Sequence, residues 1–368
     1  MRVLIAPDSF KGSLTAAGVA RALAAGWRLA RPVDAVVELP LADGGEGTLD
    51  AVAAAVPAAA VHRLPAVTGP DGRPVPARWL ELPGLLKSPG RRALAELAES
   101  SGLPLMAAPD PLGAGTRGLG EVLAAALDAG AHAVTVGVGG SASTDGGCGA
   151  LSALGAQFLD ASGAALPPGG GALRRLARVR LDRLRPPPPG GVEVLADVTT
   201  PLADAPAVFG PQKGAGPAEV AILTEALARL VEVLGGAPDA AGSGAAGGTA
   251  YGLATLWGAR IVPGAARIAG LVGLPAAVQA ADLVLTGEGR LDATSLAGKA
   301  TGHVATVAAA AGLPCLAVTG QADPAVRWPA GDVLTLVELA GSPAAAIADP
   351  ARWLTAAGAR LATDRLPA

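Results

Sequence analysis

Cysteine is almost missing from this chain. Cys148 and Cys315 are the only two, far apart and without Cys-x-x-Cys spacing. That excludes a disulfide framework or a thiolate zinc site and fits a reducing compartment. Each reads as a small core residue rather than a nucleophile. Histidine is as scarce: His62, His132 and His303 sit in separate segments with no ligand spacing. Aromatic residues are few, with five Trp, three Phe and one Tyr, whereas Gly and Pro number 52 and 32. This drift toward small residues dilutes any single Gly-based motif. A strong charge of either sign is absent too. Lys and Arg total 28 against 31 Asp and Glu, a net charge of -3, which excludes an electrostatic bias toward nucleic acid or anionic membrane. The longest stretches without charge, Ala300 to Ala322 and Ala240 to Ala259, are interrupted by Gly312 and Pro314 in the first and by six glycines in the second. Neither reads as a membrane span. The opening M-R-V-L-I-A-P-D-S-F-K meets Asp8 and Lys11 too early for a signal peptide and reads as a first β-strand.

What is present is a large apolar fraction, 51%, with 16% charged residues over 368 positions. Charge-driven disorder is excluded, and the length predicts two domains at roughly 100 to 200 residues each. Short β-branched or Leu-rich runs alternate with Ala-rich helical stretches, which predicts an α/β fold with a mainly parallel sheet. Strands are expected at Arg2 to Ala6, Ala35 to Leu39, Ala133 to Val138, Val192 to Val198, Asp282 to Thr286, Cys315 to Thr319 and Val333 to Val337. Helices are expected at Thr15 to Ala30, Thr116 to Gly130, Ala218 to Leu234, Gly298 to Gly312 and Pro350 to Arg365. Residues 61 to 85 read as a hairpin turning at Pro70-Asp71-Gly72, and Pro186 to Gly191 as a surface loop. The expected partition is a Rossmann-like domain of residues 1–60 plus 280–368, with an inserted α/β domain of residues 61–279 and the active site in the cleft between them.

Two internal features locate chemistry. Among 28 basic residues only Lys11, Lys87, Lys213 and Lys299 are Lys, and three of them adjoin a Gly. A chain that uses Arg for generic charge keeps Lys where a compact, rotatable ammonium suits a phosphoryl group or small carboxylate. Lys87 reads as a solvated surface residue. The second feature is acidic residues in Gly-rich segments after predicted strands: L-A-D-G-G-E-G with Asp43 and Glu46, S-T-D-G-G-C-G with Asp145, and T-G-E-G-R-L-D with Glu288 and Asp292. Glycine lets backbone N–H groups approach a phosphate, and carboxylates beside it hold Mg2+ or accept a proton. Turn chemistry alone would account for one such segment. Three of them, with the Lys positions, point to a phosphate-and-metal cleft. A P-loop is excluded, because Gly298-Lys299 lacks the first Gly and is followed by Ala300. Gly137, Gly139 and Ala142 with Asp160 match a dinucleotide fingerprint, but the helix it needs would begin with three glycines costing about 1 kcal/mol each.

The segments A-P-D-S-F-K-G, P-L-A-D-G-G-E-G-T, G-V-G-G-S-A-S-T-D-G-G, F-G-P-Q-K-G-A, G-A-A-G-G and L-T-G-E-G-R-L-D, in that order, resemble the motif series of the bacterial glycerate kinase family from Met1 to about Thr319. The resemblance implies a cytoplasmic two-domain α/β enzyme that uses ATP and Mg2+ to phosphorylate D-glycerate, giving 2-phosphoglycerate. It leaves a homodimer open and implies neither nucleic acid nor membrane as partner. Under it, Asp8 and Lys11 belong at the phosphate or glycerate end, at the start of a helix whose N–H groups favour an anion. Asp43, Glu46, Asp197, Glu288 and Asp292 form the pool for Mg2+ and the general base. Asp197 or Asp292 is favoured as base, and Asp43, Glu288 and Asp292 as metal ligands. Lys213, Lys299 and Arg290 would offset charge on the transferring group or hold the glycerate carboxylate. The loop from Gly139 and Gly140 through Asp145 to Gly147 would cradle ATP phosphates, with Ser141, Ser143 and Thr144 as hydroxyl donors. The chain departs from the series at Thr144 and Thr200, where Asn is usual, in a shortened loop at Ala203 to Val208, and at Ala300-Thr301. A kinase for another small hydroxy acid, an oxidoreductase built on Gly137, Gly139 and Asp160, and a non-catalytic nucleotide sensor remain the alternatives.

Overall fold

A computed structural model describes residues 1–83, 90–296 and 298–364. Lys87 and the last two positions of the expected hairpin lie outside the described residues. Thirteen strands occur among them: β1 Arg2–Ile5, β2 Ala35–Glu38, β3 Ala60–Thr68, β4 Pro74–Leu82, β5 Arg92–Glu96, β6 Ala133–Gly137, β7 Gln157–Leu159, β8 Arg178–Arg180, β9 Val192–Leu195, β10 Arg260–Val262, β11 Leu283–Leu291, β12 Cys315–Ala322 and β13 Val333–Thr335. The chain divides into two compact units. The first comprises Met1–Asp43, Asp50–Pro57 and Pro263–Ala368, and the second Gly44–Leu49 and Ala58–Val262. No helix among the described residues is long and apolar enough to cross a membrane.

The first unit is a five-stranded sheet in the order β13-β12-β11-β1-β2, with every pair parallel. Numbered within that unit, the strands run 2-1-3-4-5, a doubly wound α/β order. A parallel strand covered on both faces should be apolar, and the centre of β1 is: Val3, Leu4 and Ile5 are all at most 1% exposed,. Val3, Ile5, Leu283, Leu285, Leu316 and Val318 share a cluster with Leu23 and Trp27 of helix Ala16–Ala30 and with Leu354 and Ala357 of helix Pro350–Asp364.

A polar knot pins the start of this sheet. The Asp34 carboxylate accepts hydrogen bonds from Trp27 Nε1 at 3.0 Å, Arg31 Nε at 2.6 Å and the N-terminal ammonium at 3.1 Å. The Arg31 bond leads in holding its pKa down to about 2, with Trp27 and the terminus adding to it. The folded pKa lies below that of the unfolded chain, so this stabilisation is complete above the unfolded value near 4 and is lost as pH falls through about 2. Asp34→Asn is therefore expected to unfold at lower urea than wild type at pH 7. Urea titrations repeated at progressively lower pH should show that gap closing, and a gap independent of pH would contradict the assignment.

The second unit is a six-stranded sheet in the order β10-β9-β6-β5-β4-β3. β5, β6, β9 and β10 are parallel, and the β3–β4 hairpin completes one edge. Gly72 sits at φ +83° in the Pro70-Asp71-Gly72 turn, as the sequence predicts. The proline-rich stretch after Arg185 is irregular, and β7 and β8 form a separate two-stranded ribbon.

Candidate active site

In a doubly wound sheet, ligands collect beyond the carboxyl ends of the strands where the strand order reverses, here between β1 and β11. Asp8 stands at that point. It is buried and accepts the Ser9 N–H at 2.6 Å. Burial first, and then the Asp43 carboxylate, push its pKa up to about 7. The Ser9 bond and the Lys11 ammonium oppose the shift, and Glu288 adds to it. Lys11 is exposed on the turn from Phe10 to Leu14, not at the start of a helix as expected. The following helix begins at Ala16, and its end is capped by Thr15, whose hydroxyl accepts the Gly18 N–H at 3.2 Å.

The sequence places Glu288 in a loop after a strand ending at Thr286. The structure corrects this, because β11 continues to Leu291 and pairs Glu288 with Thr319 of β12. Gly287 and Gly320 make the continuation possible, since a Cβ at either would overlap a backbone carbonyl of the adjacent strand, that of Val318 or of Gly289. Burial raises the Glu288 pKa, opposed by the Ser295 and Thr301 hydroxyls and the Lys299 ammonium and reinforced by Asp292. Glu288 Oε1 and Thr319 Oγ1 are buried without a hydrogen-bond partner among the described residues. Two orphaned oxygens on paired residues of β11 and β12 mark a place that a ligand would complete,.

Asp292 follows β11 directly. Its Oδ1 accepts the Thr294 N–H at 2.9 Å and the Thr294 hydroxyl at 2.5 Å. Those bonds, with the Lys299 ammonium, hold its carboxyl below the ordinary range. Lys299 is the N-cap of helix Ala300–Ala310. Asp8, Lys11, Asp43, Glu288, Arg290, Asp292 and Lys299 all line one cavity of about 360 Å³ within the first unit. Asp8 and Lys299, 291 positions apart in sequence, thus meet because β1 and β11 are neighbours. Gln321 and an aliphatic side formed by residues after β13 complete the lining, and no sequence motif marked either.

The remaining predicted residues belong to the second unit. Gly44–Leu49 crosses the carboxyl ends of its strands as a strap. Gly139 donates its N–H to the Gly44 carbonyl at 3.1 Å, and Cβ atoms at Gly137 and Gly139 would strike the backbone of Gly44 and Gly45. Glu46, on this strap, is exposed. Glu96, at the end of β5, holds the strap: its carboxylate accepts the Gly47 N–H at 2.9 Å and the Leu49 N–H at 3.0 Å. Burial pushes Glu96 up to about 7 against those two bonds. Sequence reading missed it, because A-E-L-A-E carries no loop glycine and β5 was itself not foreseen.

The loop after β6 is not a helix start. Gly146 and Gly147 adopt φ +63° and +75°, and the helix begins only at Cys148, so the dinucleotide fingerprint lacks its phosphate-binding turn. Asp160 instead closes its own turn by accepting the Ser162 and Ala164 N–H groups. Asp145 is buried within the loop. One oxygen accepts the Thr116 N–H, the Thr116 hydroxyl and the Gly149 N–H at 2.9, 2.8 and 3.1 Å, and the other accepts the Gly147 N–H at 3.0 Å. Lys213 is also buried, its Nζ donating to the Ser143 carbonyl at 2.5 Å. Burial lowers its pKa to about 8. Gly140 is left-handed and Ser141 is buried, while the Ser143 and Thr144 hydroxyls are buried with no partner among the described residues. Asp197 follows β9, beside β6 in the sheet, and is half-buried.

Cys148 and Cys315 are buried, and burial raises both thiols, Cys315 to about 12. His62 stacks on Trp79 with ring centroids 4.0 Å apart and contacts Glu81. His303 is partly buried, and that burial lowers its pKa.

The description "Glycerate kinase family" fits residues 3–365 of the chain as a family model. A glycerate kinase of Bacillus subtilis strain 168 is 40% identical over 335 residues, covering 87% of this chain and 85% of that protein. A glycerate 2-kinase of Escherichia coli K12 is 40% identical over 332 residues, with the same coverage of both chains. Among solved structures, one from Salmonella typhimurium LT2 described as a candidate glycerate kinase 2 superposes with a TM-score of 0.81 at 35% identity. It covers 99% of this chain and 98% of that one.

Proposed function

The chain belongs to the glycerate kinase family, phosphotransferases with an alcohol acceptor, and on that premise we propose that it transfers the γ-phosphoryl group of ATP to the 2-hydroxyl of D-glycerate in the cytoplasm. The products are 2-phosphoglycerate and ADP, and the hydroxyl proton passes to a carboxylate. The observation that carries this reading is the switch-point cavity of the first unit, where buried Asp8 and Glu288 and half-buried Asp43 stand with Lys11 and Lys299.

Phosphoryl transfer needs positioning, neutralisation of phosphate oxygens and an acceptor for one proton. Lys11, Lys299 and Arg290 supply cations for the phosphate oxygens and the glycerate carboxylate. Asp8 is assigned as the proton acceptor in preference to Asp292, whose carboxylate is already engaged by Thr294. Asp197 does not line this cavity. Among the described residues no three acidic, cysteine or histidine side chains group into a metal cage. Mg2+ does not need one, being held by one or two carboxylates plus phosphates and water. Glu288, with its unpartnered Oε1, and Asp43 suit that donor set. Mg2+ held there would supply positive charge to offset that of the phosphate groups. In the second unit, the Gly139–Thr144 loop with its two unpartnered hydroxyls is a further anion-binding element.

Incubation with ATP, Mg2+ and D-glycerate, followed by phosphorus NMR, tests the reading. Esterification at the 2-hydroxyl is expected to give a phosphomonoester resonance split by a single proton. A resonance split by two protons would place the phosphate on the 3-hydroxyl. No glycerate-dependent product would remove the assignment.

A further inference from the structure

The switch-point cavity has a side that glycerate cannot use. Besides its charged residues, the cavity is lined by Leu336, Val337, Pro343, Ala346, Ile347 and Pro350 of the segment after β13. This segment forms two short helices, Leu336–Ala340 and Pro343–Ala348. Their N-termini are capped within the segment, by Thr335 with Glu338 and by Ser342 with the Ala345 N–H. The helix ends are therefore satisfied, and what the segment offers the cavity is aliphatic surface. Leu336 and Ala346 are buried, whereas Ile347 is 66% exposed. Glycerate carries an oxygen on every carbon and gains nothing from such a wall, so the wall implies a ligand with an apolar face attached to a strongly anionic group. Charge complementarity supplies the rest, because Lys11, Arg290 and Lys299 line the same cavity.

We propose that residues 336–350 form the nucleoside face of the phosphoryl donor's site, with the base against Val337, Pro343 and Ile347 and the phosphates directed toward Lys11 and Lys299. This deepens the kinase reading and rests on it for a nucleotide as the phosphoryl donor, not for the identity of the acceptor. None of the six wall residues has a side-chain hydrogen-bonding group, and the uncharged hydrogen-bonding side chains that line the cavity, Ser9, Ser13 and Gln321, all lie outside that wall. Shape and apolar contact discriminate weakly between bases, whereas buried hydrogen-bond pairs discriminate strongly. The donor site therefore accepts purine nucleotides with little preference for the base.

The test is the binding of a fluorescent N-methylanthraniloyl ADP to the full chain, alongside steady-state kinetics with varied ATP. Ile347 is exposed, so Ile347→Asp leaves the core intact. It is expected to raise both the Kd for the labelled ADP and the KM for ATP by about tenfold, the scale of one lost apolar contact. The KM for glycerate should stay within about twofold, and Ile347→Leu should restore nucleotide binding. Competition by ADP, GDP and IDP is expected to give Kd values within about tenfold of one another. Unchanged nucleotide binding in Ile347→Asp, or a raised KM for glycerate alone, would overturn the proposal, as would a hundredfold preference among the purines. Nucleotide binding is read without any acceptor, so failure of the glycerate assignment leaves this result to stand or fall by itself.

Discussion

Lys11→Ala is expected to lower the rate of glycerate phosphorylation by about two to three orders of magnitude with no change in thermal stability. The side chain lies exposed on the Phe10–Leu14 turn, so its removal opens no cavity and strands no buried partner. Its ammonium nevertheless lines the switch-point cavity with Asp8, close enough to Asp8 to lower its pKa. A preorganised cation beside a transferring phosphoryl group acts on the charge that develops in the transition state, so the loss should fall mainly on kcat. Initial rates together with a thermal melt decide the matter. A variant within about threefold of wild type would remove Lys11 from the reaction, and a lowered melting temperature would show that its role is structural.

The second large effect has the opposite signature. Asp145→Ala is expected to destabilise the second unit by about 3–5 kcal/mol, the range for breaking a buried, fully paired charge. Its carboxylate is 1% exposed in a residue that accepts four hydrogen bonds, three of them from backbone N–H groups. Alanine leaves those donors in an apolar interior, and asparagine, although of the same volume, turns an NH2 group toward N–H donors. Both variants should therefore unfold at lower urea, with activity falling in step with stability. Stability unchanged in both would mean that the loop after β6 is held by something other than this carboxylate.

These two residues show why the site was unevenly legible. Lys11 and Asp145 both stood out as charged residues beside glycine, yet one faces a cavity and the other is enclosed by its own loop. Spacing marks where the chain turns but not which way a side chain faces. The parallel strands β1, β6, β9, β11, β12 and β13 were legible because they are short apolar runs flanked by breakers. β5, R-A-L-A-E, was not, because a strand paired on both sides needs little β-propensity of its own,. The end of β11 was misread for the converse reason: T-G-E-G-R-L looks like a loop until the adjacent Gly287 and Gly320 are seen to permit close pairing. The aliphatic wall after β13 could not be marked at all, since Leu, Val, Ile, Ala and Pro carry no chemistry until a cavity gives them a face.

The strap Gly44–Leu49 makes the two units topologically inseparable. Polypeptide passes from one to the other after Asp43, Leu49, Pro57 and Val262, so no single cut in the backbone releases either half entire. A truncated product starting at Ala58 would lose six residues from the middle of its own packing. It would bare the glycine surface at Gly137 and Gly139 and deprive the Glu96 carboxylate of both amide donors. Dissecting this enzyme into autonomous halves would require supplying that hexapeptide in trans or rejoining it through a redesigned connection.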